Sequence, residues 1–209
     1  MVVRRSTHIG HKAAQSVYYA IGEQAERIGL PLTQHVTINF SQTDLDPVKA
    51  VEVFTAIRRN RFDKWSRRPR RGAGRAFVPA YAYVFENARD GVAFEQIGPE
   101  LPHNVHVHWA VNIPAERVND FSYLIFQWLD EHCQHPCEAN AVKMTTIGTP
   151  KGLRRYVLSG TDEKWAKRYG ASYEPQGVII GKRSGVSVNL GPSLRRHMDQ
   201  MDGIRRQAA

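Results

Sequence analysis

Cysteine is nearly missing from this chain: Cys133 and Cys137 are the only two in 209 residues. A disulfide scaffold is therefore excluded as the source of stability, and a reducing, cytoplasmic setting is expected. No run of about 18 apolar residues occurs, so no membrane-spanning helix is expected. The opening residues, MVVRRSTHIGHK, lack the apolar stretch of a secretory signal. Internal repeats, low-complexity segments and the G-x-x-x-x-G-K-[ST] phosphate loop are absent as well. Acidic residues are the minority charge, 20 against 29 lysines and arginines, which leaves a net charge of +9. That excess favours an anionic partner, of which nucleic acid is the commonest. Hydrophobic residues make up 42%, enough for a proper core.

Apolar periodicity and breakers divide the chain into elements. Residues 1–11 are basic and polar and are expected to fray. Residues 12–28 predict a helix stopped by Gly29 and Pro31. Residues 35–40, HVTINF, alternate as a strand does. An Asp44 or Asp46 cap with Pro47 opens a helix to about Arg67. Strands are predicted at 76–86, 105–113 and 141–147, with a turn-rich insert from Asn87 to Pro102. A helix runs from Pro114 to about His132. Residues 152–169 are mainly helical with a break near Gly160, and a short strand GVIIG, a polar loop and a last short helix follow. The order β-α-β-β-α-β is the split βαβ pattern of ferredoxin-like and RNA-recognition folds. It predicts an α+β fold: an antiparallel sheet with helices on one face, an added N-terminal helix and a C-terminal helical tail. The expected organisation is an extension over 1–34, a main domain over 35–175 and a basic tail over 176–209, packed on the domain or following it.

His106-Val107-His108 carries the clearest chemistry. Residues i and i+2 of a strand share a face, so both imidazoles project side by side with Val107 behind them. Glu86 closes the preceding strand in YVFEN and reaches the same site if the two strands pair as a hairpin. Two histidines and a carboxylate suit Mn²⁺ or Mg²⁺ with positions left open for phosphate oxygens. His103 is a competing ligand that lies before the strand. Tyr156, in KGLRRYVLSG, has the chemistry to attack a phosphodiester and to hold the DNA covalently. Arg154 and Arg155 beside it favour phosphates.

In this order the motifs resemble those of the His-hydrophobe-His (HUH) endonucleases, which start rolling-circle replication of plasmids, single-stranded phages and some transposons. VTINF at 36–40 is similar to that family's first hydrophobic-Thr-hydrophobic strand, AYVFE at 82–86 to its glutamate strand, and HVHWAV at 106–111 to its histidine strand. RYVLSG at 155–160 resembles its Tyr-x-x-Lys motif, with Ser159 where the lysine would stand. The likeness covers roughly residues 35–160. Tyr169, in KWAKRYG with Lys164 and Lys167 nearby, is the alternative nucleophile. The resemblance implies nicking and joining of single-stranded DNA, at an origin or hairpin, by one tyrosine. The metal would polarise the scissile phosphate, the 5′ end would stay on the enzyme, and a free 3′ hydroxyl would prime synthesis. Unwinding would fall to a host helicase, and the setting would be a bacterium or its plasmids and phages.

Nine basic residues crowd into 58–75: Arg58, Arg59, Arg61, Lys64, Arg67, Arg68, Arg70, Arg71 and Arg75, with Trp65 and Phe62 interleaved. Such a run tracks phosphates, and Trp65 offers a stacking face for an unpaired base; Phe62 is expected in the core. Lys182 and Arg183, in the glycine-spaced segment 181–192, are further DNA-contact candidates. EHCQHPCE at 131–138 has zinc-ligand residue types, but its spacing matches no usual finger, and incidental residues at a helix end are expected. Two rival functions stand beside DNA nicking: a non-catalytic RNA- or single-strand-binding module on the same fold, and a metal-independent two-histidine phosphoesterase. The latter is suggested by His35-Val36-Thr37, although His106-Val107-His108 lacks the second hydroxyl.

Overall fold

The computed structural model describes residues 4–69, 75–87 and 102–204. The chain opens with a short strand, β1 (Arg5–Ser6), and a helix over 11–27, α1. Next come β2 (Gln34–Asn39), a helix over 47–66, α2, and β3 (Tyr81–Asn87). The hairpin partner β4 (Val105–Val111) leads to α3 (Val118–Asp130) and β5 (Val142–Thr146). Two short helices follow, α4 (Pro150–Val157) and α5 (Glu163–Tyr169). The chain then forms β6 (Ile179–Ile180), β7 (Ser184–Val186) and α6 (Pro192–Met201).

The main sheet has the order β5-β2-β4-β3-β7, and every pairing is antiparallel. Without β7, the first, second, third and fourth strands of the βαββαβ unit lie in the order 4-1-3-2. That is the split βαβ arrangement expected from the sequence. Its two crossover helices, α2 and α3, share one face. α2 starts where expected, with Asp46 accepting a hydrogen bond from the Val48 N–H and Pro47 in the first turn. In α3, Phe121, Ile125, Trp128 and Leu129 recur at helical spacing and are all buried. They meet Val36, Ile38, Phe85, Val107 and the fully buried Trp109 from the strands.

The second face is covered in part by the added elements. Ala14, Val17 and Ile21 of α1, with Leu153 and Val157 of α4, pack on Ala82, Val84 and Ala110. The N-terminal helix is thus one wall of a second core, integral to the fold. Gly29, at φ 67°, ends it where the sequence indicated.

Three local expectations are corrected. Residues 5–6 are a strand, because they pair with Ile179–Ile180 of the tail, so this part of the N-terminus is not frayed. The polar segment after GVIIG supplies β7, which extends the main sheet beside β3. β3 begins at Tyr81, five residues later than predicted; Pro79, which lacks an N–H, stands just before it. Most of the 87–102 insert lies outside the described residues.

Asn87 ties the end of β3 to both neighbours. Its side-chain amide donates to the Val178 carbonyl at 3.0 Å, and its Oδ1 accepts from the Asn104 N–H at 3.1 Å. Its backbone N–H donates to Gln176 Oε1 at 3.0 Å, and its carbonyl accepts from Gly177 at 2.8 Å. A Cβ on Gly177 would collide with Asn87 Nδ2, so only glycine permits this approach. Asn87 is fully buried. Asn87→Ala removes side-chain bonds and strands their partners, and is expected to cost about 2–4 kcal/mol. The check is urea unfolding, in which the midpoint drops while the slope is kept; an unchanged midpoint would contradict this role for Asn87.

Candidate metal centre

β3 and β4 pair with Glu86 directly opposite His106 and Val84 opposite His108. The alternation of side chains then puts Glu86, His106 and His108 on one face, and Phe85, Val107 and Trp109 on the other. β2 adds Thr37 opposite His108 and Asn39 opposite His106, with His35 two residues before Thr37. The site therefore lies on the face turned away from α2 and α3.

Glu86 Oε2 is 3.4 Å from His106 Nε2 and 3.6 Å from His108 Nε2. The three ligand atoms lie within 4.8 Å of one another. Adjacent ligands around an octahedral ion with bonds of about 2.1 Å stand about 3 Å apart, so small side-chain shifts would close the set on one cation. The donors fit an ion on two further counts. His106 Nδ1 lies 3.3 Å from the Asn104 carbonyl, which can only accept, so Nδ1 carries the proton and Nε2 presents its lone pair to the site. His108 Nε2 is buried with no hydrogen-bond partner, a costly arrangement that a cation relieves.

Behind His108, Nδ1 lies 3.2 Å from both Thr37 Oγ1 and His35 Nε2. These contacts hold the ring from the side opposite Glu86. Glu86 Oε1 accepts from the Ser159 hydroxyl at 3.5 Å, which leaves Oε2 for the histidines. Burial would raise the Glu86 pKa, but the neighbouring His106 and His108 outweigh it and lower it to about 2. Burial drives the His108 pKa down against the pull of Glu86. Burial, then the neighbouring His108 and Lys143, lowers His35 to about 4, so its ring is neutral near pH 7. A buried carboxylate beside two imidazoles is the donor set a hard or borderline divalent ion takes.

Tyr156 stands over this cluster. α4 is started by the Thr149 side chain, which accepts from the Gly152 N–H, and by Pro150. Leu153 and Val157 anchor the helix in the second core, and Tyr156 falls on its open flank, 54% exposed. Its ring centroid is 4.8 Å from that of His108 and 6.2 Å from that of His35. Burial, then the charges of Glu86 and Glu174, raises its pKa. Tyr169 packs instead on Tyr18 and Trp165 and contributes to the second core.

The basic candidates separate into groups. Arg58 is buried, with its guanidinium on the Tyr81 hydroxyl and over the Tyr83 ring, so it supports the core and is not placed for phosphate. Arg183 is also buried: it donates to the carbonyls of Ser6 and Gly177 at 2.7 and 2.6 Å, joining the N-terminus to the tail. Trp65 has Arg117 over one part of its ring at 4.0 Å, Phe121 stacked on it at 5.5 Å, and its N–H on Asp120, so the expected stacking face is taken. Arg154 lies over Tyr18 and across Gly22. Arg61, Arg67, Arg68, Arg75, Arg155 and Lys182 are exposed. Arg70 and Arg71 lie outside the described residues. The Cys133 and Cys137 sulfurs are 3.3 Å apart, and among the described residues they join no group of three metal-ligating side chains. Sequence reasoning missed Ser159 and Asn104 as supports of the centre. Both act through folding: one hydroxyl from a distant turn, one backbone carbonyl.

The chain matches no protein-family profile, no curated protein and no solved structure. Among the described residues no helix is long and apolar enough to cross a membrane.

Binding of a cation to the folded state raises thermal stability by mass action. Added Mn²⁺ is expected to raise the Tm of the wild-type protein by several degrees at a concentration well above Kd. His106→Ala and His108→Ala should each remove that response while still unfolding cooperatively. A full Mn²⁺ response in either variant would rule out the centre.

Proposed function

We propose that this protein is a metal-dependent enzyme that nicks and rejoins single-stranded DNA, with Tyr156 as nucleophile. The observation that carries this reading is the placement of an exposed phenol 4.8 Å, ring to ring, from a buried histidine of a Glu-His-His set. A nucleophile and an electrophilic centre on the same open face are the two parts that phosphodiester transesterification requires. Mn²⁺ or Mg²⁺ in this set would supply Lewis-acid polarisation of the phosphate.

The chain's own residues account for the rest. Glu86, His106 and His108 are the residues that would hold the cation. Thr37, His35, Asn104 and Ser159 fix the orientation of those three side chains. The Tyr156 oxygen attacks phosphorus, a phosphotyrosine bond forms to the 5′ side, and the 3′ oxygen leaves as a hydroxyl. The bond energy stays in the adduct for rejoining. Glu86 is one of the two charges that keep the phenol protonated, so neutralising it favours the attacking form. The net charge of +9 suits a polyanionic substrate.

The arrangement disfavours the binding-module reading. The sheet's aromatics, Tyr81, Tyr83, Phe85 and Trp109, face α2 and α3, and the open face shows histidines and a carboxylate. The two-histidine phosphoesterase reading retains one supporting contact, His35 Nε2 at 3.2 Å from His108.

Incubation with a pool of single-stranded hairpin oligonucleotides and Mn²⁺ should give a covalent adduct that survives denaturing electrophoresis. Tyr156→Phe is expected to lower adduct yield at least 100-fold while still binding Mn²⁺. Mass spectrometry that finds the nucleotide on Tyr169 would overturn the choice of tyrosine. Strand cleavage that persists in chelator without an adduct would replace this function by the phosphoesterase.

A further inference from the structure

The basic run in α2 is on the wrong side of the sheet to hold DNA over the metal centre. Ala50, Val53, Phe54, Ile57 and Phe62 of α2 pack against Val107, Trp109 and Phe85. Those strand residues alternate with His106, His108 and Glu86, so α2 and the centre are separated by the thickness of the sheet. The exposed cations of α2 have a geometry of their own. Arg61 and Lys64 of α2, with Arg68 two residues past its end, line one side of a single groove. This cationic stripe forms one wall of a cleft of about 520 Å³ between α2 and α3, whose opposite wall is Leu124 and Trp128.

The cleft is cationic by construction. Its floor is Arg117, fully buried, whose guanidinium donates to the carbonyls of Trp65, Arg68 and Arg75. Two carboxylates border the cleft: Asp120 accepts from the Trp65 N–H at 2.9 Å, and Glu131 pairs with Arg61 at the end of the stripe. The cleft's positive charge matches a polyphosphate backbone. Among the described residues that line the cleft, none is a serine, threonine, cysteine or tyrosine that could attack one.

We infer that the cleft between α2 and α3 is a second nucleic-acid surface, which grips the backbone of DNA flanking the cleaved strand, most simply a duplex segment. The inference rests on the DNA-nicking reading for its substrate, but it is measured by binding alone. One molecule thereby contacts DNA on both sides of its sheet, the reacting strand at the metal centre and the flank at the stripe. Phosphates here set position and affinity and carry no base sequence.

The test is fluorescence anisotropy of two probes, a 30-base-pair duplex and a short unpaired oligonucleotide. The variants are the triple Arg61→Gln, Lys64→Gln, Arg68→Gln and the single Glu131→Gln. The triple variant should lose about tenfold or more in duplex affinity. Its slope of log K against log salt should fall by about 2–3, near 0.9 for each phosphate that is no longer neutralised. Binding of the short oligonucleotide and adduct formation on it should stay as in wild type. Glu131→Gln removes the stripe's carboxylate from an exposed position and should tighten duplex binding. Unchanged duplex affinity and slope in the triple variant, with adduct formation intact, would overturn the second surface and leave the nicking reading standing. Loss of duplex binding in a protein whose wild type forms no adduct would do the reverse. Equal losses on both probes would show one continuous site and overturn the inference.

Discussion

Everything at the proposed centre depends on the pairing register of β3 with β4. Glu86 stands opposite His106, and His108 lies two residues further on the same strand. A slip by one residue would send the carboxylate or the histidines into the hydrophobic layer under α2 and α3, because strand side chains alternate. That layer is what prevents the slip. Phe85, Val107 and Trp109 are the core-facing partners of the same pair of strands, and each is fully buried. Burying an aromatic or a valine contributes roughly 1.5–3 kcal/mol, so the wrong register is strongly disfavoured. The centre's geometry is thus held from the opposite face of the sheet.

Placing a carboxylate and an imidazole where water barely reaches has a cost, and the surroundings offset it group by group. The Asn104 carbonyl sets the tautomer of His106, Thr37 and His35 back His108, and Ser159 takes one oxygen of Glu86. Arg183 is near enough for its buried guanidinium and Glu86 to feel one another's charge; burial, offset in part by Glu86, leaves its pKa at about 10. Among the described groups of this network His108 Nε2 has no hydrogen-bond partner, and it lies where the other ligand atoms converge.

The two faces of the sheet divide the labour. The face under α2 and α3 supplies most of the apolar burial and, on its outer side, a cationic cleft. Among the described residues the other face is covered mainly by α1 and α4 and by Leu158 and Leu190 beyond them. Lys143 and Thr145 of β5 stay exposed beside His35. On that half-open face Tyr156 stands on a fixed helix with its ring exposed to solvent. α1, β1 and the tail hold this side together, through the β1-β6 pair and through Arg27, which binds Asp199 and Asp202 at 2.6 Å each.

The sequence alone determined what local periodicity can carry. Alternation along β4 fixes that His106 and His108 share a face. The order of strands and helices fixes an antiparallel α+β sheet, and Asp46, Pro47 and Gly29 fix where helices start and stop. Tertiary structure decided what depends on partners distant in the chain. Arg58 and Arg183 look like surface cations in sequence, yet each is buried by aromatic rings or carbonyls from other segments. Trp65 looks free to stack, yet Arg117 and Phe121 occupy its faces. β1 and β7 are too short and polar to show a period, and exist because an edge was open beside them. Which of Tyr156 and Tyr169 lies beside the histidines was likewise open in sequence. It is the break after α4 and the apolar anchors Leu153 and Val157 that bring one phenol to the histidines and turn the other into the core. Side-chain period is a property of the backbone next door; burial and convergence are properties of the whole fold, and no short stretch of sequence contains them.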